Sequence, residues 1–200
     1  MKHLALLFIS LISSAAVLAS PAAAHSSFPD KQANNVEMIY NVNPALQCFR
    51  SARDTAELRY GLEHCDIAMR DPHMHFRAQT VLNRGIIRYA MGDRSGALQD
   101  FRLALDYNPT MGDAYLNQAL VLAAERRPDE ALAAINQGIA MGAANLHVAY
   151  YIRAGIEEDA GRTAQAYRDY RQALTVKPDY QAARREIERF RVVPLEAPAS

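Results

Sequence analysis

Two cysteines, Cys48 and Cys65, are the residues of this sequence with the most specific chemistry. Such a pair can form a disulfide or act in redox catalysis, but no Cys-x-x-Cys motif occurs to support catalysis. In an exported chain an even number of cysteines favours a disulfide. The alternative is two buried free thiols.

Three histidines, His64, His73 and His75, lie within twelve residues and suggest a metal site. However, His73 and His75 begin a predicted helix after Pro72, where their rings should diverge. No acidic or thiolate ligand completes a tetrahedral set. We therefore predict neither a metal nor a cofactor, and we keep a metal-handling accessory protein as an alternative function.

Arginine and aspartate recur together at a fixed spacing. Arg84 and Asp100 are 16 residues apart, as are Arg153 and Asp169, whereas the segment between them lacks both residue types at matching positions. This correlation predicts structural ion pairs more than a catalytic acid beside an arginine. The sequence contains no nucleophile elbow, phosphate loop, zinc-helix motif or dinucleotide fingerprint, so we expect no enzymatic activity.

The composition favours helices and gives no sign of a polyanionic partner. Basic and acidic residues number 22 each, so the formal net charge is zero and neither nucleic acid nor an anionic membrane is an expected partner. Alanine and leucine are abundant, and apolar runs with a period of two are missing.

Residues 1–24 have the features of a cleavable signal peptide. A start containing Lys2 precedes the apolar stretch Leu4–Leu18, and Ala22–Ala24 fits a small-x-small cleavage site. A membrane anchor is the weaker alternative, because the apolar run is shorter than a bilayer span. We expect a periplasmic or secreted protein with no membrane span after cleavage.

The helices that must position these residues repeat every 34 or 35 residues. Five positions agree in three units: Gly85, Ala119 and Ala154; Ala97, Ala131 and Ala166; Phe101, Ile135 and Tyr170; Ala104, Gly138 and Ala173; Leu105, Ile139 and Leu174. Each unit is predicted to form two helices joined by a turn. In the second helix, small and bulky residues share one face, which lets paired helices approach closely.

These units resemble the tetratricopeptide repeat (TPR) family over roughly residues 78–180. In the first unit the resemblance rests on Asn83-Arg84-Gly85, Gly92-Asp93, Ala97, Asp100-Phe101, Ala104-Leu105 and Asn108-Pro109. It implies an all-α stack of helical hairpins with a concave groove, which in this family binds a peptide or protein.

We divide the rest of the chain accordingly. Repeats are predicted over 78–111, 112–146 and 147–180, after a degenerate hairpin over 42–72 and before a capping helix over 181–191. Residues 25–40 and 192–200 are predicted to be disordered. In the repeat register Cys48 and Cys65 face each other across the degenerate hairpin, as do each arginine and its aspartate in theirs.

Ten residues are predicted to line the groove: Leu82, Asn83, Ile86, Tyr89, Leu116, Asn117, Leu120, Tyr151, Ile152 and Glu158. The asparagine amides can donate to and accept from an extended peptide. The apolar residues favour an apolar peptide or helix over a carboxylate ligand. Alternatively, these residues pack against each other or an N-terminal segment, and the protein is a self-associating architectural oligomer. The sequence identifies neither the partner nor the oligomeric state.

Overall fold

The computed structural model describes residues 43–55, 57–73 and 75–190. The predicted signal peptide (1–24), N-terminal arm (25–40) and C-terminal tail (192–200) lie outside these residues. The described part contains nine helices and no strand, which confirms the all-α prediction: α1 Pro44–Asp54, α2 Leu58–Met69, α3 Arg77–Ala90, α4 Arg94–Tyr107, α5 Gly112–Ala124, α6 Pro128–Ala140, α7 Leu146–Asp159, α8 Thr163–Val176 and α9 Gln181–Ile187. Among these helices, none combines the length and the apolar character needed to cross a membrane.

The chain divides into two compact units, whose described parts are residues 43–110 and 111–190. In the first unit α1 packs on α2 and α3 packs on α4, while α3 also contacts both α1 and α2. Asn43 begins α1 by accepting hydrogen bonds from the backbone of Ala45 and Leu46, and Asp93 begins α4 by accepting one from Gly96.

Close packing of α3 on α4 requires a small residue at the crossing. Gly85 faces the Phe101 ring, and a Cβ atom on Gly85 would lie 2.5 Å from Cε1 of Phe101. Phe101 is wholly buried, as are Ala97 and Ala104 on the same face of α4. The small–bulky–small pattern of the second helix therefore forms the interior of the hairpin. The Phe101 ring approaches α3 closely because Gly85 has no side chain at the crossing.

The second unit contains two hairpins and a final short helix. Helix α5 packs on α6, α7 packs on α8 and also contacts α5 and α6, and α9 packs on α8. The loop after α6 contains Gly142, whose φ of 69° is the left-handed conformation that glycine adopts at low cost. The backbone NH of Ala144 donates to Oδ1 of Asp113, 3.2 Å away, so this loop is tied to the start of α5.

Within each unit, packed helices are first or second neighbours along the chain. Each hairpin therefore depends on its own two helices and on the hairpin next to it, as expected for stacked repeats.

Cys48 on α1 and Cys65 on α2 are joined in the structure, with their Sγ atoms 2.14 Å apart and their Cα atoms 4.8 Å apart. Both residues are wholly buried. Sγ of Cys48 also lies 3.7 Å from the carbonyl oxygen of Thr80, so the pair sits where α1, α2 and α3 meet. That the bond forms in the purified protein stays a prediction.

Replacing both cysteines by serine should lower the free energy of unfolding by about 3 kcal/mol, because the bond closes a short loop of the unfolded chain. Urea unfolding of the variant and of the unreduced protein measures this difference. Alkylation under denaturing conditions without reductant, followed by mass spectrometry, should modify no cysteine. Modification of both cysteines would rule out the disulfide.

Candidate functional site

The guanidinium of Arg84 on α3 joins three helices of the first unit. It donates to the carboxylate of Asp100 on α4, with an Nη2–Oδ1 distance of 2.7 Å, and to Oδ1 of Asp66 on α2 at 2.8 Å. Arg88 also reaches Asp100, whose side chain is only 3% exposed. Burial lowers the pKa of Arg84, but the hydrogen bonds to Asp100 and Asp66 outweigh it and leave that pKa raised.

Arg153 on α7 has the same arrangement in the second unit. It donates to Asp169 on α8 at 2.6 Å and to the amide oxygen of Asn136 on α6 at 2.7 Å. The structure thus brings together both sequence-predicted arginine–aspartate pairs. The sequence reasoning missed the additional acceptors, Asp66 and Asn136, although they precede their arginines by similar separations of 18 and 17 residues.

Helix α3 packs on α1, α2 and α4, and different sides of it carry different residues. Arg84, Gly85 and Arg88 face α4, whereas Ile87 faces α2, where its Cδ1 atom would lie 3.1 Å from a Cβ on Gly61. Three of the predicted groove residues lie at helical spacing on another side of the helix: Leu82, Ile86 and Tyr89. We call these residues the third face of α3.

The third face is apolar, and most of it is covered in the structure. Leu82 and Ile86 are 3% and 4% exposed, and Tyr89 is half-buried. Asn83 lies at the edge of this face and accepts a hydrogen bond from Gln79 at 3.3 Å. A ligand can therefore contact Leu82 and Ile86 only after the atoms that cover them have moved.

Two of the three predicted groove residues on α5, Leu116 and Asn117, make contacts within their own unit. Leu116 packs against Gly138 of α6, where a Cβ would lie 2.7 Å from its Cδ2 atom. The Asn117 side chain donates to the carbonyl of Asp113 at 2.8 Å. Leu120 on α5, and Ile152 on α7, are also buried. Leu116 thus stabilises the hairpin, because the glycine opposite leaves room for its side chain.

Tyr151 and Glu158, the other groove residues predicted on α7, belong to the interior around α9. The Tyr151 ring lies 5.5 Å from that of Tyr170, and the Tyr170 hydroxyl donates to Glu158 at 3.1 Å. Arg189, just after α9, donates to Glu158 at 2.7 Å and also pairs with Glu186. Both residues therefore contribute to the packing of this last part of the unit.

The three histidines do not converge. His64 is half-buried on α2 and packs edge-on against Tyr60, with ring centroids 4.1 Å apart. Helix α3 begins at Arg77, so the expectation that a helix starts at His73 was wrong, and His73 and His75 lie exposed in the preceding loop. In the described residues, no group of three or more histidine, cysteine or acidic side chains could hold a metal.

Comparisons with known proteins agree with the helical hairpins described above. Residues 147–180, which contain α7 and α8, match the family model of the tetratricopeptide repeat. A thermophilic TPR protein of Thermus thermophilus shares the fold with a TM-score of 0.65 at 19% identity, over 76% of this chain and 82% of that one. The described helical hairpins therefore have the tetratricopeptide repeat fold.

Two other solved TPR structures bear on ligands. The first TPR domain of Spaghetti (RPAP3), bound to the HSP90 peptide SRMEEVD, has a TM-score of 0.53 at 19% identity, over 56% of this chain and 89% of its own. YrrB, described as a TPR protein with an unusual peptide-binding site, has a TM-score of 0.57 at 16% identity, over 67% and 68%. No curated protein matches the sequence.

The tyrosines around α9 have pKa values raised above the ordinary value of tyrosine. Burial raises the pKa of Tyr151 to about 12, with the neighbouring Glu186 carboxylate adding to the effect, and burial also raises the pKa of Tyr180 to about 12. Burial, and then Glu158, raise the pKa of Tyr170 as well. These shifts reflect the removal of phenolate from water and its proximity to carboxylates.

Replacing Asp100 by alanine should lower the free energy of unfolding by about 3 kcal/mol or more, because it leaves Arg84 half-buried without its main partner. The matched control is Asp66→Ala, which removes the more exposed acceptor of the same arginine and should cost less than about 1 kcal/mol. Thermal and urea unfolding measure both. Equal losses of stability in the two variants would contradict a structural role for Asp100. So would a loss of partner binding in the Asp100→Ala variant at unchanged stability.

The tyrosine pKa values predict alkaline destabilisation. The folded-state values lie above the ordinary value of about 10, so the stability that they contribute is intact below pH 10 and is lost as the pH rises towards 12. Urea unfolding at increasing pH, with phenolate absorbance recorded, should show this decline.

Tyr180→Phe provides the control for this titration. The Tyr180 hydroxyl is buried and has no hydrogen-bond partner among the described residues. The variant should therefore match the parent within about 0.5 kcal/mol at pH 8 and lose less stability above pH 10. Identical pH profiles for the two proteins would contradict the assignment.

Proposed function

We propose that this chain is a non-enzymatic tetratricopeptide repeat scaffold that binds an apolar peptide or protein segment on the third face of α3, in an exported compartment. The observation that carries the proposal is a row of apolar residues at helical spacing, Leu82, Ile86 and Tyr89, on a different side of α3 from the residues that face Asp100 and Phe101 of α4 and Gly61 of α2. Both peptide-related TPR neighbours support this general mode of action.

The chemistry of the face selects the ligand class. Leu82 and Ile86 offer aliphatic surface, and Tyr89 offers a ring with a polar tip. A ligand that ends in a carboxylate would need lysine or arginine at these positions. An apolar segment fits better, and its backbone could hydrogen-bond to Asn83, which is itself buried and must be uncovered together with the face.

Burial of the face has a consequence for affinity. Since Leu82 and Ile86 are almost fully covered, the binding-competent state must differ from the one described here. Uncovering the face costs free energy, so binding is weaker than it would be to an open face. The apparent affinity falls in proportion to the fraction of molecules in the open state. We infer a ligand that binds weakly unless another event uncovers the face.

Export rests on the signal-like residues 1–24 and is consistent with two cysteines placed to form a disulfide. The same burial of Leu82 and Ile86 favours one second candidate, an architectural oligomer whose groove is filled by its own N-terminal arm. Deleting residues 25–40 and measuring the mass in solution distinguishes the two, because an architectural oligomer should change its assembly state whereas a partner-binding scaffold should not.

Site-specific photocrosslinking tests the binding face. A photoreactive phenylalanine analogue at position 89 should capture a partner in the native host, and the same analogue at Tyr107, an exposed aromatic residue at the end of α4, is the matched control. Mass spectrometry should locate the crosslink in an apolar segment, and a synthetic peptide of that sequence should bind the parent protein more tightly than a Leu82→Ser/Ile86→Ser variant. Equal capture from positions 89 and 107, or a peptide that binds both proteins alike, would count against the site.

A further inference from the structure

The first hairpin, formed by α1 and α2, has a different interior from the three hairpins that follow it. Each later hairpin is filled by a bulky side chain, Phe101, Ile135 or Tyr170, and these are 0%, 0% and 3% exposed. A shift of 36 residues aligns Cys65 of α2 with Phe101 of α4. Cys65 is wholly buried and joined to Cys48 in the structure. Two sulfur atoms therefore occupy the place of an aromatic or aliphatic side chain.

The positions of the arginine–aspartate pair also differ in the first hairpin. The same shift of 36 residues aligns Cys48 with Arg84 and His64 with Asp100. Nδ1 of His64 is buried and has no hydrogen-bond partner among the described residues. The cysteine pair thus stands where the hairpin of α3 and α4 has both a packed ring and an ion pair.

The packing of α1 depends on small side chains. Its buried residues are Cys48, Ser51 and Ala52, whereas α3 buries valine, leucine and isoleucine side chains. The stabilisation from burial grows with the apolar area removed from water, so α1 gains less from packing than α3 does. Helix α1 contacts α2 and α3, and Sγ of Cys48 lies 3.7 Å from the carbonyl oxygen of Thr80. The bond between the cysteines therefore fastens a helix that has little other packing.

The turn between α1 and α2 carries a conformational cost. Thr55 and Glu57 adopt φ values of 49° and 50°, in the left-handed region that residues with side chains disfavour. The turns of the second and fourth hairpins place glycine in this region, at Gly92 and Gly161. The first hairpin thus closes at a higher backbone cost than these two, and it has less packing to offset that cost.

We propose that the first hairpin is an oxidation-dependent module. Helix α1 docks on α2 and α3 only when Cys48 and Cys65 are bonded, whereas the three later hairpins fold in either state. In the bond-forming step the two thiols lose two protons and two electrons to a disulfide-bearing oxidant, whose own disulfide becomes two thiols. In a compartment that keeps thiols reduced, α1 stays detached and the side of α3 around Thr80 is uncovered.

Amide hydrogen exchange measured by mass spectrometry tests the proposal. The protein is unfolded and then returned to native buffer with either a dithiol reductant or a disulfide oxidant, so that burial of the cysteines cannot protect the bond from reduction. In the reduced protein the α1 amides should exchange roughly 100-fold faster, the factor expected from closing a loop between cysteines 17 residues apart. The amides of α3 to α8 should exchange equally under both conditions.

The matched control is Cys48→Ala/Cys65→Leu, which restores at position 65 the kind of aliphatic side chain that Ile135 supplies in a later hairpin. Its α1 amides should be protected as well as those of the oxidised protein, even with the dithiol present. Cys48→Ser/Cys65→Ser, which restores neither the bond nor the apolar volume, should resemble the reduced protein under both conditions.

Two outcomes would overturn the proposal. Equal protection of the α1 amides in the oxidised and reduced protein would show that packing alone docks this helix. Loss of protection in α3 and α4 together with α1 on reduction would show that the first hairpin is not a separate module.

Discussion

One guanidinium in each unit holds together three helices that belong to two successive hairpins. Arg84 bonds the second helix of its own hairpin through Asp100 and the second helix of the preceding one through Asp66, and Arg153 does the same through Asp169 and Asn136. The planar, forked donor set of arginine can serve two acceptors in fixed directions, which a lysine ammonium could not do as well. The bond network therefore fixes both the closure of a hairpin and its stacking on its neighbour.

This arrangement can form only because the helices come close together. At the crossing of α3 and α4, Gly85 lets the Phe101 ring reach the helix backbone, and the shorter distance brings Arg84 within reach of Asp100. Packing and electrostatics are thus coupled, since a bulkier residue at position 85 would separate the helices that the ion pair must join. The desolvation of Asp100 is offset because two arginines, Arg84 and Arg88, share its carboxylate.

The sequence was sufficient to predict the all-α hairpin fold, because the small–bulky–small spacing of residues such as Ala97, Phe101 and Ala104 is a direct consequence of helix geometry. The spacing of Arg84 and Asp100 also placed these residues on facing helices. Periodicity identifies which face a residue occupies, but it does not identify what covers that face. For this reason the groove assignment of Leu116 missed its contact with Gly138, and that of Glu158 missed the arginine supplied by the turn after α9.

Segments that depart from the repeat pattern were the second limit on what the sequence could predict. Around α9 the chain departs from the repeat pattern, so no comparison between units could reveal that Tyr151, Tyr170 and Tyr180 share one cluster. Asp66 was hidden for a related reason, because it belongs to the degenerate first hairpin, in which few family positions are kept. Asp66 precedes Arg84 by 18 residues, and Asn136 precedes Arg153 by 17. Only this comparison between the two units shows that both residues are acceptors for an arginine of the next hairpin.

The restriction of helix packing to first and second neighbours also shapes how each unit reaches its native state. Contacts between residues close in sequence require little loop closure, so chains with such contacts cross a small entropic barrier and fold in microseconds to milliseconds. Any hairpin can act as the nucleus on which the next is added. The order of assembly is then set by the relative stability of the hairpins and not by their distance from either end of the chain.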